Sequence, residues 1–265
     1  MNLVDFFKAV LMGIVEGITE FLPISSTGHL IIAGDLIDFD GPLAATFEVA
    51  IQLGAILAVC WLYREKIVRV GTGLRTDAAA QRFVVNLALA FLPAAAIGFF
   101  LHDWITAHLF NPRTVAWALI GGGVLILAVE RWHEPVDVVD IDAMDWKHAL
   151  KIGCAQTLAL IPGTSRSGAT IIGGVLFGLS RQAATEFSFF LAIPIMFAAT
   201  GYDVYKNLAT FDTEQVALFA AGFVTAFVSA LLAVKGFVRY IAHHDFSAFA
   251  WYRIAFGGLV LWYYG

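Results

Sequence analysis

Charged residues are scarce in this chain of 265 residues. Asp, Glu, Lys and Arg make up only 14% of it and hydrophobic residues 60%, whereas about 25% of a typical soluble domain is charged. This composition argues against a water-soluble globular protein and indicates an integral membrane protein. The sequence also shows no nucleic-acid-binding signature, so we expect no nucleic-acid partner.

Cysteine is almost absent as well. Cys60 and Cys154 lie in apolar stretches and have neither the spacing of a metal-binding pair nor that of a redox motif, so we expect both to serve packing. A cleavable signal peptide is not expected either. The first apolar stretch is soon interrupted by Glu16 and Glu20, and no small-residue cleavage site follows it.

Long apolar runs recur along the whole chain. A membrane-spanning helix needs about 17 to 25 largely apolar residues, and several runs reach that length with their flanking small residues. The runs are residues 49–63, 83–101, 115–129, 187–200, 216–234 and 249–262. We predict an all-α polytopic membrane protein, residues 1–265 forming one membrane domain with about six transmembrane helices. Tryptophans and tyrosines around the last run, Tyr252 among them, are expected to be interfacial anchors.

An internal repeat divides the chain. Residues 8–16 resemble residues 148–156, residues 21–28 resemble residues 160–168, and each region is followed by a pair of isoleucines. We therefore predict two related halves, residues 1–134 and 146–265, joined by a linker of residues 135–145. An odd number of crossings in each half would invert the second half relative to the first, as in many transporters.

The placement of Lys and Arg predicts the orientation. The longest basic loop, residues 64–82, lies between the first two spans, and a cytoplasmic position for it makes both chain ends face outward. The acidic linker is interpreted as a solvated loop, with a cation site as the alternative. The pair His243 and His244 is expected to face solvent rather than to bind a metal.

A first polar stretch begins with two carboxylates. Glu16 and Glu20 are four residues apart, so a helix places them on one face. Such a pair at membrane depth either shares a proton or binds a divalent cation. The alternative is that both side chains extend to the membrane interface from a helix end.

A helix break follows these carboxylates. Pro23 removes an amide donor and Gly28 permits a tight turn. Broken backbone at membrane depth must be buried or line a wet cavity, which predicts a re-entrant helical hairpin. Its tip would present four polar side chains, Ser25, Ser26, Thr27 and His29. Of these, His29 can act as base, acid or nucleophile.

A second polar stretch, residues 162–170, predicts another re-entrant hairpin. Its composition is typical of an anion-binding site, because free amides at a helix N-terminus and a planar guanidinium both bind phosphate. Arg166 could instead be a buried counterion of Glu16 or Glu20, and the two roles can coexist. The candidate substrate-binding residues here are Gly163, Thr164, Ser165, Ser167 and Thr170.

Two hairpin tips meeting at the repeat interface would combine carboxylates, hydroxyls, a histidine and an arginine, a set suited to phosphoryl transfer. Glu48 and Gln52 in the first span could extend this polar site or simply make hydrogen bonds between helices. We include Gln52 among the candidate substrate-binding residues.

At these positions the chain resembles the bacterial undecaprenyl-diphosphate phosphatase family, also known as the bacitracin-resistance protein family. The resemblance covers essentially the whole chain. It rests on Glu-x-x-x-Glu followed by Pro-x-Ser-Ser-x-Gly-His, and on Pro-Gly-x-Ser-Arg-Ser-x-x-Thr. The family's motif residues correspond here to Glu16, Glu20, Ser26, His29, Ser165, Arg166, Ser167 and Thr170.

The resemblance implies hydrolysis of undecaprenyl diphosphate to undecaprenyl phosphate and inorganic phosphate, which recycles the lipid carrier of peptidoglycan synthesis and confers bacitracin resistance. It also implies six spans with two re-entrant hairpins, a divalent cation, Mg²⁺ or Ca²⁺, on Glu16 and Glu20, and a bacterial inner-membrane location. With both chain ends outward, the site would face the periplasm. The oligomeric state stays open, a homodimer included.

The expected catalytic residues are Glu16, Glu20, Ser26, His29 and Arg166. Ser26 is the preferred nucleophile, with His29 as its base or as the acid for the leaving phosphate. A metal-activated water, or His29 as the phosphoryl acceptor, are the alternatives. Inverted repeats with broken helices also fit a transporter or flippase for a phosphorylated isoprenyl lipid, which is the rival function.

Overall fold

The computed structural model describes residues 3–39, 42–132, 135–207 and 216–264. In these ranges the chain forms α-helices joined by short turns, which confirms the all-α prediction. The helices are α1 (Leu3–Thr19), α2 (Ser26–Leu36), α3 (Pro42–Leu62), α4 (Arg64–Gly73), α5 (Ala78–Leu109), α6 (Pro112–Arg131), α7 (Trp146–Gln156), α8 (Arg166–Leu176), α9 (Arg181–Asn207), α10 (Val216–Ile241) and α11 (Ser247–Tyr264). Two 3₁₀ turns, Ile141–Ala143 and Thr157–Leu160, precede and follow α7.

Several helices are long and apolar enough to cross a membrane, so the chain is a multi-pass membrane protein. Within the described ranges, four qualify by length and hydropathy: Ala78–Leu101 of α5, α6, Arg181–Gly201 of α9, and α10. The pair α3 and α4, bent by 76°, can count as a fifth. The sixth predicted span falls on α11, whose 18 residues include Arg253 and several tryptophans and tyrosines that lower its hydropathy.

Two helices are too short to span. Helices α2 and α8 have 11 residues each, about half of the roughly 20 that a bilayer crossing needs. Each follows a break in the chain, α2 after the turn that ends α1 and α8 after the turn that ends the 3₁₀ segment Thr157–Leu160. These are the two predicted helical hairpins, and each places a helix N-terminus at its tip.

Glycines bring the first helix of each hairpin close to another helix. A Cβ on Gly17 of α1 would lie 2.5 Å from the carbonyl oxygen of Ala226 in α10, and one on Gly153 of α7 would lie 2.7 Å from that of Ala90 in α5. Small residues permit such close helix packing in membranes. The equivalent contacts α1–α10 and α7–α5 are what two related halves would produce, and the division into repeats stays a prediction.

The linker of residues 135–145 is docked on the helices. Val138, Ile141 and Met144 are at least 94% buried, and the amide of Ser180 donates to the carbonyl of Val138 at 2.8 Å. Asp142 forms an ion pair with Lys66 at 2.9 Å. Most of the linker, including Asp137, Asp140 and Asp145, is nevertheless exposed, which agrees with its interpretation as a solvated loop. The three buried apolar side chains show in addition that this loop is docked on the end of the helix bundle.

Truncating a buried side chain of the linker tests this docking. Ile141→Ala should lower the free energy of unfolding by about 2 to 5 kcal/mol, the usual cost of a cavity left by a deleted Ile side chain. Val139→Ala is the matched control, because Val139 is 76% exposed. Thermal unfolding in detergent should show a clear drop in midpoint for Ile141→Ala only. Equal midpoints for both variants would contradict the docking.

Candidate active site

The first hairpin tip is a turn closed by a serine. Ser25 has a φ of 70°, a left-handed conformation uncommon outside glycine. Its hydroxyl accepts a hydrogen bond from the amide of Gly28 at 3.4 Å and so caps α2. This leaves the first amides of α2, those of Ser26 and Thr27, pointing out of the helix N-terminus.

The second tip repeats this geometry. Ser165 has a φ of 73°, and its hydroxyl accepts from the amide of Gly168 at 3.1 Å, capping α8. Gly163 precedes it with a φ of 92°, and a Cβ there would lie 2.7 Å from the Cα of Val115 in α6. Only glycine fits this position. Packing against α6 therefore requires glycine at position 163, in addition to the predicted role of Gly163 as a substrate contact.

The two tips touch each other. The hydroxyl of Ser167 in the second hairpin donates to the carbonyl of Leu22 in the first at 2.8 Å. Arg253 of α11 donates to the carbonyls of Pro23 and Gly163, both at 3.1 Å. The N-termini of α2 and α8 therefore converge, as the two polar stretches predicted.

Glu20 lies at the centre of the joined tips. Its Oε1 accepts from Nη2 of Arg166 at 2.8 Å, and its Oε2 accepts from the hydroxyl of Ser26 at 2.5 Å. The structure thus brings three of the predicted catalytic residues into one hydrogen-bonded chain. Arg166 does act as the counterion of Glu20, which was the rival interpretation of its role.

The ion pair with Glu20 leaves part of the Arg166 guanidinium free. Nη1 donates to the carbonyl of Ser188 in α9 at 3.2 Å, and Nη2 also approaches the sulfur of Met196 at 3.6 Å. A guanidinium carries five hydrogens, so Nε and one hydrogen of Nη1 stay without a partner among the described residues. Both anion binding and pairing with Glu20 are therefore compatible with this geometry.

Thr170 supports Arg166 from the next turn of α8. Its hydroxyl bonds to the hydroxyl of Ser188 at 2.6 Å and donates to the carbonyl of Arg166 at 2.9 Å. Thr170 and Ser188 are almost fully buried. The pair joins α8 to α9 beside the Ser188 carbonyl that accepts from the guanidinium, and Ser188 is a site residue that the sequence analysis missed.

Glu16 is a buried carboxylate without a partner. It is fully buried, and neither carboxylate oxygen accepts a hydrogen bond in the described structure. The charged groups that act on it are Glu20, Glu48 and Arg166. Two unsatisfied oxygens beside other carboxylates are costly unless a proton or a cation joins them.

These oxygens fit the predicted Mg²⁺ or Ca²⁺. Among the described residues, no group of three His, Cys, Asp or Glu side chains forms a complete metal cage. Mg²⁺ does not need one, since it is commonly held by one or two carboxylates, substrate phosphates and water. Glu16 with its free oxygens and Glu20 are thus a suitable donor set for a cation bound together with a phosphorylated ligand.

His29 is held on the far side of the first tip. Its Nδ1 lies 2.7 Å from the carbonyl of Ser25 and its Nε2 lies 2.6 Å from the hydroxyl of Tyr252. A carbonyl only accepts, so Nδ1 carries a proton, and in the neutral ring Nε2 accepts from the tyrosine. The ring stacks on Phe256 at 4.2 Å. The Ser26 hydroxyl is bonded to Glu20 rather than to His29, and the catalytic role of His29 stays a prediction.

The remaining predicted substrate-binding residues make no hydrogen bond to Glu20, Ser26 or the Arg166 guanidinium in the described structure. The Ser165 and Ser167 hydroxyls bond each other at 3.0 Å. Thr27, Thr164 and Gln52 are half-buried, and the structure shows no side-chain hydrogen bond from any of them to a described residue. They are available to a ligand, and their binding roles stay predictions.

Two site residues from α11, Tyr252 and Arg253, were missed. Tyr252 was interpreted as an interfacial anchor, and its neighbour Arg253, which is 1% exposed, was given no role. A charged residue inside an apolar span is itself a signal of function. That signal would have pointed to Arg253.

A cavity of about 690 Å³ reaches Arg166 from the side. Its walls are mainly apolar or small side chains of α5 and α9, such as Ala95, Phe99 and Ala198, with Gln156 and Asp103 as polar members. A ligand with a charged head at Arg166 and an apolar tail in this cavity would match both surfaces.

A protein-family model described as bacitracin resistance protein BacA matches residues 9–259. The chain belongs to this family. It is 61% identical over 261 residues to an undecaprenyl-diphosphatase of Nitrosomonas eutropha, covering 98% of this chain and 95% of the relative. It is 60% identical over 262 residues to undecaprenyl-diphosphatase 2 of Rhodospirillum rubrum, covering 98% and 96% of the two chains. An undecaprenyl-diphosphatase of Methylobacillus flagellatus is 56% identical over the full length of both. The resemblance expected from the two motifs is therefore confirmed for this BacA-family chain.

The serine caps generate a prediction for stability. Ser165→Ala should cost about 1 to 2 kcal/mol, because the cap is lost and a Cβ remains at positive φ. Ser165→Gly should cost less, since glycine adopts that φ freely and is itself a tolerable cap. Unfolding midpoints in detergent would show this order. The reverse order, with alanine better tolerated than glycine, would rule out the strained cap as the reason for a serine here.

Proposed function

We propose that this chain hydrolyses undecaprenyl diphosphate to undecaprenyl phosphate and inorganic phosphate. The observation that carries the proposal is the carboxylate of Glu20, which lies between the Ser26 hydroxyl and the Arg166 guanidinium. A nucleophile, a proton acceptor and an anion-binding cation are thereby assembled within hydrogen-bonding distance. The names of its relatives support the substrate.

The converging hairpins supply the anion site. The uncapped amides at the N-termini of α2 and α8 and the positive ends of both helix dipoles favour a phosphate group. The two free hydrogens of Arg166 complete this site. In a water-poor membrane interior such preorganised donors stabilise the charge that develops on phosphoryl oxygens.

The chain's own residues support a two-step displacement. In the first step Oγ of Ser26 forms a bond to the terminal phosphorus, its proton passes to Oε2 of Glu20, and the bond to the bridging oxygen breaks. The lipid leaves as a monophosphate, a leaving group that needs no proton. In the second step water attacks the phosphorus of the phosphoserine, the bond from phosphorus to Oγ breaks, and the protonated Glu20 returns its proton to Oγ of Ser26. Both protons of the water leave with the inorganic phosphate, as dihydrogen phosphate, so Ser26 and the Glu20 carboxylate are regenerated.

Glu16 and Glu20 would hold the divalent cation. Bound there, the cation would neutralise charge on the diphosphate and on the carboxylates. Glu16, Glu20 and Glu48 carry three negative charges when ionised, against one on Arg166 and one on Arg253. An additional positive charge would balance the site before a diphosphate enters it.

The lipid tail would occupy the cavity between α5 and α9. Arg166 lines one part of that cavity, and most of the other lining side chains are apolar. Isoprenyl units there would lie against apolar side chains as they do in the bilayer, so the tail could enter from the membrane without contact with water. The cavity therefore supports a long-chain isoprenyl diphosphate as the substrate.

We place the protein in the bacterial inner membrane with the site toward the periplasm. The support is the basic segment of residues 64–82 between α3 and α5, which the positive-inside tendency assigns to the cytoplasm. Recycling of the lipid carrier for peptidoglycan synthesis, and with it bacitracin resistance, would follow from this activity.

Phosphate release from a long-chain isoprenyl diphosphate by the detergent-purified protein tests the proposal. We expect release by the wild type, its loss with a chelator and its recovery with Mg²⁺ or Ca²⁺. Glu20→Gln and Arg166→Lys should each lower turnover by about 100-fold or more, because both disrupt groups that act on the reacting phosphate. Arg239→Gln, on an exposed position of α10, is the control and should retain activity.

Near-normal turnover of Glu20→Gln would remove Glu20 from the proposed proton transfer. An absence of release by the wild type, combined with movement of the phosphorylated lipid across liposome membranes, would favour the rival transport function.

The tail cavity gives a prediction that depends on chain length. Ala95→Phe should fill part of the cavity and raise KM for a C55 substrate several-fold while leaving a short-chain analogue such as C15 nearly unchanged. Ala96→Phe is the matched control, since Ala96 is the exposed neighbour of Ala95 and does not line the cavity. Equal effects on both chain lengths would place the tail elsewhere.

A further inference from the structure

Arg253 of α11 is the largest fully buried side chain in the described structure. All of its hydrogen bonds go to backbone carbonyls. Nε donates to Leu119 at 3.3 Å and Nη2 to Ala118 at 3.1 Å, both in α6. Nη1 and Nη2 donate to Pro23 and Gly163 of the two hairpin tips.

No carboxylate of a described residue lies within ion-pair distance of this guanidinium. A buried charge without a countercharge is strongly unfavourable, and a purely structural contact could be made with less polar groups. Two of the four carbonyls that it joins belong to turns that are 140 residues apart in sequence, Pro23 and Gly163. The guanidinium thus sits where the two halves of the anion site meet.

Glycines keep room for this side chain. A Cβ on Gly122 of α6 would lie 2.7 Å from Cζ of Arg253, and one on Gly168 of α8 would lie 3.0 Å from Nη1. By contrast, a Cβ on the neighbouring Gly121 would meet nothing within 4 Å. The position of the guanidinium is therefore tightly defined by its surroundings.

We propose that Arg253 is a positioning residue that holds the two hairpin tips in the one relative geometry in which their helix N-termini and Arg166 bind the same diphosphate. This inference rests on the proposed function for its substrate. Its positive charge, without a carboxylate partner, also contributes to the field that favours an anion between the tips. Arg253 does not touch the reacting atoms, so its contribution passes through the carbonyls of Pro23 and Gly163.

Two variants separate positioning from folding. Arg253→Lys keeps the charge but cannot reach four carbonyls with one ammonium, whereas Gly122→Ala keeps the arginine and displaces its guanidinium. Both should lower kcat by about ten- to a hundredfold per folded molecule, since small misplacements of catalytic groups have effects of that size. Gly121→Ala is the matched control and should behave as the wild type.

Binding is measured separately with a short-chain isoprenyl methylenediphosphonate, which cannot be hydrolysed at the bridging position. Loss of the tip geometry should weaken its Kd about fivefold, the effect of one lost hydrogen bond. The folded fraction is taken from size exclusion and circular dichroism, and should one variant not fold, the other decides.

The proposal would be overturned by wild-type kcat and Kd, per folded molecule, in Arg253→Lys or Gly122→Ala. A wild-type protein that binds the diphosphonate but releases no phosphate would instead sink the proposed function. The comparison of Kd values would then still decide the role of Arg253.

Discussion

A helix broken at membrane depth leaves backbone groups that must find partners inside the protein, because lipid offers none. This chain contains two such breaks, and each is closed by a serine that accepts from an amide of the helix it begins. The carbonyls of the breaks, at Leu22, Pro23 and Gly163, are satisfied by side chains from elsewhere in the fold. The same bonds that make the breaks tolerable also bring the two helix N-termini together, and the site depends on that convergence.

The charges around the tips follow from this arrangement. Two helix N-termini and two arginines create a positive environment, into which Glu16, Glu20 and Glu48 project. Glu20 is neutralised by Arg166, whereas Glu16 has no hydrogen-bond partner among the described residues. Groups of both signs thus lie next to each other in one site. The predicted diphosphate and divalent cation would bind to groups of opposite charge within this site.

Local sequence predicted those parts of the site that lie next to a helix break. Glu20, Ser26 and Arg166 stand within a few residues of Pro23 or Pro162, and the turn chemistry of these segments can be read directly from their composition. The fold class followed from hydropathy in the same way. Contacts between distant segments could not be predicted, because the local sequence around Ser188, Tyr252 or Arg253 does not indicate which turn each of them contacts.

Burial of the linker's apolar side chains likewise could not be predicted from local sequence. Its aspartates suggested exposure, and the apolar residues between them gave a short alternating pattern that is easily missed in a segment with few hydrogen-bonded turns. Burial of Val138, Ile141 and Met144 depends on the shape of the bundle end that receives them. Composition predicts that the segment is largely solvated, but not that three of its apolar side chains are buried against the bundle.

The two tips have the same backbone geometry and different chemistry. Counted from the capping serines, Ser26 and Arg166 occupy the same helical position, the first residue of α2 and of α8. Similarly, Glu16 corresponds to Gln156 in the aligned segments, so the carboxylate of one half is an amide in the other. A symmetric pair of tips would place either two hydroxyls or two guanidinium groups at the junction. The first choice would lack an anion-binding cation and the second a nucleophile. The two unlike tips instead present one hydroxyl and one guanidinium at the first helical positions, close enough that the carboxylate of Glu20 bonds to both at once.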